Sequence, residues 1–79
     1  MTSAIQNDTI ELIHLETGLG TNTIQLESDF VKDLGMDSID VNGLIGSLET
    51  HFHIKLSQAD IIDINTVGEL IKLIESKVS

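Results

Sequence analysis

The chain has 79 residues, with thirteen Asp and Glu against four Lys and no Arg, for a formal net charge of −9. That balance excludes nucleic-acid binding, which needs a basic footprint, and the absence of Cys excludes a disulfide framework and a Cys-based zinc site. A chain of this length reads as one domain, residues 1–79, that buries only about 60% of its unfolded surface and has a total stability of about 4–12 kcal/mol by residue count, which leaves little room for a deep catalytic cavity.

The Met1–Gln6 start carries neither a basic region nor a long apolar run, so no signal peptide is expected. Nor does any stretch reach the length of a membrane span, and the expected compartment is the cytoplasm. The first predicted helix runs over about Ser3–Glu16, with Ser3 and Gln6 placed as a capping box. Ile5, Leu12 and Ile13 share one face, but polar Thr9 stands between them and weakens the stripe. Gly18 and Gly20 end the helix. A connection of about twenty residues follows. Loops of that length are normally packed or functional. Ile24, Leu26, Phe30 and Leu34 are spaced to anchor it, with one helical turn expected near Ser28.

The second predicted helix begins near Ser38. Val41, Leu44, Ile45, Leu48 and Phe52 stand at spacings 0, 3, 4, 7 and 11, which makes one buried stripe. Ile39, Asn42, Gly43, Gly46 and Thr50 lie on the other side. A short third helix is expected at Gln58–Ile62 with Ser57 as its cap. The last is the clearest: Thr66 and Glu69 form a capping-box pattern, and Val67, Leu70, Ile71, Ile74 and Val78 follow helical spacing. Strand-like alternation is brief, at Ile24–Leu26 and Ile54–Leu56. The expected fold is all-α: a four-helix bundle with a short third helix and a long ordered loop between the first two.

The informative segment is Phe30-Val31-Lys32-Asp33-Leu34-Gly35-Met36-Asp37-Ser38-Ile39-Asp40. Gly35 permits a sharp turn. The carboxylate of Asp37 suits an N-cap, where it accepts from a free backbone N–H. Ser38 then falls in the first helical turn near the surface, where the positive end of the helix dipole favours a phosphate ester by about 0.3–1 kcal/mol. An isolated Asp-Ser pair would be no more than a helix start.

In its wider context the segment resembles the acyl carrier protein family, whose signature reads approximately Asp-Leu-Gly-x-Asp-Ser-Leu. It stands here as Asp33-Leu34-Gly35-Met36-Asp37-Ser38-Ile39. The resemblance extends through Phe30, Leu44, Leu48, Glu49, Phe52 and Thr66-Val67, over nearly the whole chain, and is to the free-standing type of carrier. It implies a non-catalytic protein modified at Ser38 by a phosphopantetheinyl transferase using coenzyme A. The attached 4'-phosphopantetheine would hold acyl groups as thioesters. Asp37 would help the transferase recognise the site. The partners implied are acyl-transferring and chain-elongating enzymes of fatty-acid or polyketide-type biosynthesis, with basic docking patches. They would meet a surface of Ile39, Asp40, Asn42, Gly43, Gly46 and Glu49 on a monomeric carrier.

Departures from the family fall in the second helix. Common members have an apolar residue where Asn42 stands, Glu where Gly43 stands and a larger apolar residue where Gly46 stands. The two glycines each cost about 1 kcal/mol against Ala in a helix interior. Neither lies on the buried stripe, so an altered partner or cargo is the functional reading and drift the bland one.

Other readings are weaker. Ser38 as a nucleophile has only His14, His51 and His53 as candidate bases, and no Gly-x-Ser-x-Gly elbow occurs. Metal binding through His51 and His53 fails because helical residues two apart do not share a face. An unmodified carrier-like interaction module is the runner-up. A peptidyl or aminoacyl carrier usually has Gly-Gly where Gly35-Met36 stands.

Overall fold

The computed structural model describes residues 4–78. The described residues hold four helices: α1 (Ala4–Thr17), α2 (Ser38–Phe52), α3 (Gln58–Ile61) and α4 (Val67–Val78). The expected boundaries hold to within about one residue. Ser3 and its capping box with Gln6 lie outside the described residues. No strand forms at 24–26 or 54–56, and among the described residues one isolated antiparallel bridge joins Asp29 to Thr66. No helix among the described residues is long and apolar enough to cross a membrane.

The helices close around one apolar cluster. From α2 it takes Leu44, Ile45 and Leu48, from α4 Val67, Leu70, Ile71 and Ile74, and from α1 Ile13. Val41 and Phe52, at the two ends of the α2 stripe, are only half-buried. Val78 departs from the expected burial at 42% exposed. Helical period carries it to the apolar face, but the buried residues of α4 end one turn earlier, at Ile74.

Thr9 explains why the α1 stripe is faint in the sequence. It sits one turn from both Ile5 and Ile13, in the middle of the buried face, and is itself completely buried. Its Oγ1 has no hydrogen-bond partner. A buried hydroxyl left unpaired costs about 1–3 kcal/mol. The helix ends at Gly18, whose φ of +79° is open to glycine without strain. Gly18 N donates to His14 O, and His14 Nδ1 reaches on to Leu19 O.

The connection from α1 to α2 is held by its main chain as much as by its side chains. Ile24, Phe30, Leu34 and Met36 are buried, whereas Leu26 is 44% exposed. Leu26 anchors through its carbonyl instead, which accepts from Gly68 N at 2.8 Å. Phe30 N donates to Asn65 O at 3.0 Å, and Val67 N to Ser28 O at 3.1 Å. These bonds satisfy two of the N–H groups that the start of α4 would otherwise leave unpaired. The Thr66 side chain and carbonyl accept from the next two, Glu69 N and Leu70 N. The loop and α4 approach so closely that a Cβ at Gly68 would stand 3.1 Å from Leu26 O.

Three carboxylates at the element starts are held below the usual carboxylate range. Asp29 is lowered chiefly by the backbone N–H of Lys32, Asp60 by that of Ser57, and Glu69 by those of Asn65 and Thr66. Asp60 also pairs with Lys77 at 3.0 Å, which ties α3 to α4.

Two outcomes follow. Thr9→Val removes the orphaned hydroxyl at nearly constant shape and should raise unfolding stability by about 1–2 kcal/mol. Urea unfolding at constant m-value measures this, and a loss of stability would show the hydroxyl is satisfied after all. For the lowered carboxylates, the stabilisation is fully present above their unfolded pKa and disappears as pH falls through the lower folded values. Stability should therefore drop between about pH 5 and the acid limit. Glu69→Gln should flatten part of that drop, and an unchanged pH profile would contradict the assignment.

Candidate functional site

The start of α2 is assembled by the loop before it. Asp29 caps a turn over residues 30–34 by accepting from Val31 N and Lys32 N, each at 2.9 Å, and Asp33 returns a carboxylate oxygen to Asp29 N at 2.7 Å. The expected turn thus begins at Asp29, one residue after Ser28. Ser28 is buried instead, with its Oγ accepting from Gln25 N. Gly35, at φ +66°, reverses the chain, and Met36 N then reaches Phe30 O at 2.9 Å. A non-glycine residue at that φ would be strained. The side chain of Met36 enters the core at 2% exposure. Anchored on both sides, the chain can only emerge into α2.

Asp37 is the N-cap, in extended conformation. Its Oδ1 accepts from Asp40 N at 2.9 Å, and Asp40 Oδ2 accepts from Asp37 N at 3.3 Å. The cap is therefore reciprocal. The Asp37-x-x-Asp40 spacing carries the capping-box signal, although the sequence reading assigned only Asp37 to it. Ser38 is the first helical residue and is exposed. Its hydroxyl makes no hydrogen bond among the described residues. An exposed, uncommitted hydroxyl at a capped helix start suits esterification by a phosphate, which the adjacent helix N–H groups and dipole favour.

The residues expected on a partner surface divide. Ile39 is 80% exposed, directly after Ser38. Asn42, Gly43 and Gly46 are exposed on the same outer side of α2, and Asp40 is half-buried by its cap. Glu49 turns elsewhere: its Oε2 accepts from Leu56 N at 2.8 Å, fastening the α2–α3 connection. Around Gly46 there is open space, with nothing within 4 Å of an added Cβ. Gly43 is off the buried stripe, as expected, but a neighbour stands over it. A Cβ would lie 2.8 Å from Glu16 Oε2 and 3.3 Å from its other oxygen. No sequence pattern signals this contact, since it joins two helices 27 positions apart.

On the inner side of α2, a cavity of about 50 Å³ is lined by Phe30, Val41, Leu44, Ile45, Ile61, Ile64 and Leu70. Every lining residue is apolar, and Val41 stands one turn from Ser38. The histidines are placed apart from it. His51 Nε2 pairs with Asp8 Oδ2 at 3.1 Å, joining α2 to α1, and His53 is the left-handed residue that ends α2. Among the described residues no group of three His, Asp or Glu is arranged to hold a metal ion.

Residues 8–74 match the PP-binding family, described as "Phosphopantetheine attachment site". The chain is 31% identical over 74 residues to the "Acyl carrier protein" of Chlamydia trachomatis serovar D, covering 94% of this chain and 96% of that one. It is 36% identical over 73 residues to the "Acyl carrier protein" of Wolinella succinogenes, covering 92% and 96%. With that of Trieres chinensis it shares 38% over 66 residues, 84% and 82% of the two chains. The family's group is a covalently attached 4'-phosphopantetheine, and the exposed serine at the capped start of α2 is chemically suited to it. From the matched segment and the length of these likenesses, the chain belongs to the acyl carrier protein family of phosphopantetheine-bearing carriers.

Proposed function

We propose that the protein carries acyl intermediates on a phosphopantetheine arm esterified to Ser38 and presents them to the enzymes of a fatty-acid or polyketide-type biosynthesis. The observation that carries this reading is the placement of Ser38. It is exposed, its hydroxyl is uncommitted, and it is the first residue of a helix whose cap is held by two reciprocal hydrogen bonds. When bound, the arm supplies a thiol, which a chain without Cys lacks. The protein's own part is positional: Asp37 and Asp40 fix the helix start, and Asp37 is the acidic neighbour that a transferase reads beside Ser38.

The rest of the chain serves that presentation as one small domain, a four-helix bundle with a short third helix and a long ordered loop. The apolar cavity behind Val41 receives the first carbons of a carried chain. Each buried methylene is worth about 0.8 kcal/mol, so a few of them hold the chain only weakly. At about 50 Å³ the cavity must widen for anything longer. The outer face, with Ile39 beside the arm and Asp40, Asn42, Gly43 and Gly46 along α2, meets the partner enzymes. Glu49, within α2, accepts from Leu56 N and so fixes the α2–α3 connection below that face.

Incubation with coenzyme A, magnesium and a broad-specificity phosphopantetheinyl transferase should add one phosphopantetheine, read by intact mass. Ser38→Ala should abolish the addition. Ser38 is exposed and outside the core, so the variant will fold, and circular dichroism verifies that it has. Modification that persists in the variant sinks the assignment.

A further inference from the structure

We propose that Lys77 is a positioning residue: from the last turn of α4 it holds residues 57–64 closed, as a flap, over the apolar cavity. What the cavity receives rests on the carrier reading, whereas the flap and its latch stand on contacts within the chain itself.

The cavity has one weak wall. Phe30, Val41, Leu44, Ile45 and Leu70 line it from the anchored connection, α2 and α4, while Ile61 and Ile64 line it from α3 and the turn after it. Phe30, Leu44, Ile45 and Leu70 are buried. By contrast, α3 has four residues and buries none of them, and Ile61 and Ile64 are half-buried. The backbone is equally self-contained. Among the described residues, Ile61 N donates to Ser57 O, Ile62 N to Gln58 O and Ile64 N to Ile61 O, all inside the segment. Ties to other elements stand at its two flanks. Leu56 N donates to the Glu49 carboxylate at 2.8 Å, and Asn65 O accepts from Phe30 N at 3.0 Å. A segment fixed at both ends, with little buried surface between them, opens more readily than the helices around it. When the cavity of about 50 Å³ widens, this is the wall that moves.

Lys77 closes that wall from outside. Its Nζ stands 3.0 Å from Asp60 Oδ2, the same oxygen that accepts from Ser57 N at 3.0 Å to cap α3. Asp60 N in turn donates to Ser57 Oγ at 3.1 Å, so the cap does not need the lysine. Asp60 directly precedes Ile61, and the ion pair therefore draws the cavity-lining residue of α3 toward α4. The two side chains are 35% and 26% exposed. Water and salt reach such a pair, so it shifts an opening equilibrium by a small factor rather than locking it. That strength suits a flap that must release what lies behind it.

The test uses three variants. Lys77→Met removes the charge and keeps an unbranched stem, Lys77→Arg restores the charge, and Lys72→Met makes the same charge change at an exposed position of α4. Amide hydrogen exchange on the ¹⁵N-labelled chain before loading reads the flap. Lys77→Met should speed exchange at Ile61, Ile62 and Ile64 about two- to fivefold, with Leu48 and Leu70 in the core unchanged. After loading with a hexanoyl-phosphopantetheine arm, hydroxylamine should cleave the thioester faster by the same factor. Lys77→Arg and Lys72→Met should match the parent chain in both measurements. Unchanged flap exchange in Lys77→Met, equal acceleration at Leu48 and Leu70, or the same effect from Lys72→Met would overturn the proposal. Faster flap exchange beside an unchanged hydroxylamine rate would overturn the gating of the cavity. A chain that fails to load, read by intact mass, counts against the carrier reading instead, and the exchange result still decides the latch.

Discussion

The structure depends on a main-chain clamp between the long connection and the start of α4. Three hydrogen bonds, Gly68 N to Leu26 O, Val67 N to Ser28 O and Phe30 N to Asn65 O, hold residues 26–30 against the end of another element. The clamp answers two needs together. It pairs N–H groups that the first turn of α4 cannot satisfy internally, and it gives a connection with few local contacts a fixed course. Phe30 enters the core from the clamped segment. From Phe30 the path through the Asp29-capped turn, Gly35 and Met36 leads directly to Asp37 and Ser38. The position of the serine thus rests on bonds formed far from it in sequence.

Charge is built into that framework. Asp29, Asp33, Asp37, Asp40, Glu49, Asp60 and Glu69 all accept from backbone N–H groups. These seven are more than half of the thirteen carboxylates, so the acidity is a capping device as well as a surface property. Residues 27–63 hold eight carboxylates and two lysines, and the self-repulsion this causes is offset locally by oriented N–H donors. Neutralising these groups with acid relieves repulsion but removes caps, so the balance of stability with pH is set by which groups are bonded.

Much of the fold was legible because local and global signals agree. Thr66 and Glu69 mark the start of α4, and Ser57 that of α3, by spacing alone. Leu44, Ile45 and Leu48 follow the helical period into the core. Three features escaped for one reason: they depend on contacts between elements. Thr9 reads as an interruption of a stripe yet is the centre of a buried face. Leu26 reads as a side-chain anchor yet holds by its carbonyl. Gly43 reads only as a departure from an acidic position, and the Glu16 carboxylate over it comes from another element. At the site, Asp37 and Ser38 were legible because a cap and a first-turn residue are local geometry, while the inward course of the Glu49 carboxylate was not.

The central claim is that Ser38 bears the arm and that the arm bears an acyl group. The most direct measurement is fragmentation mass spectrometry of the protein purified from its native host, before and after hydroxylamine. The account predicts one phosphopantetheine adduct localised to Ser38, with part of its mass released by hydroxylamine as expected for a thioester. An unmodified chain, or an adduct on any other residue, would contradict it.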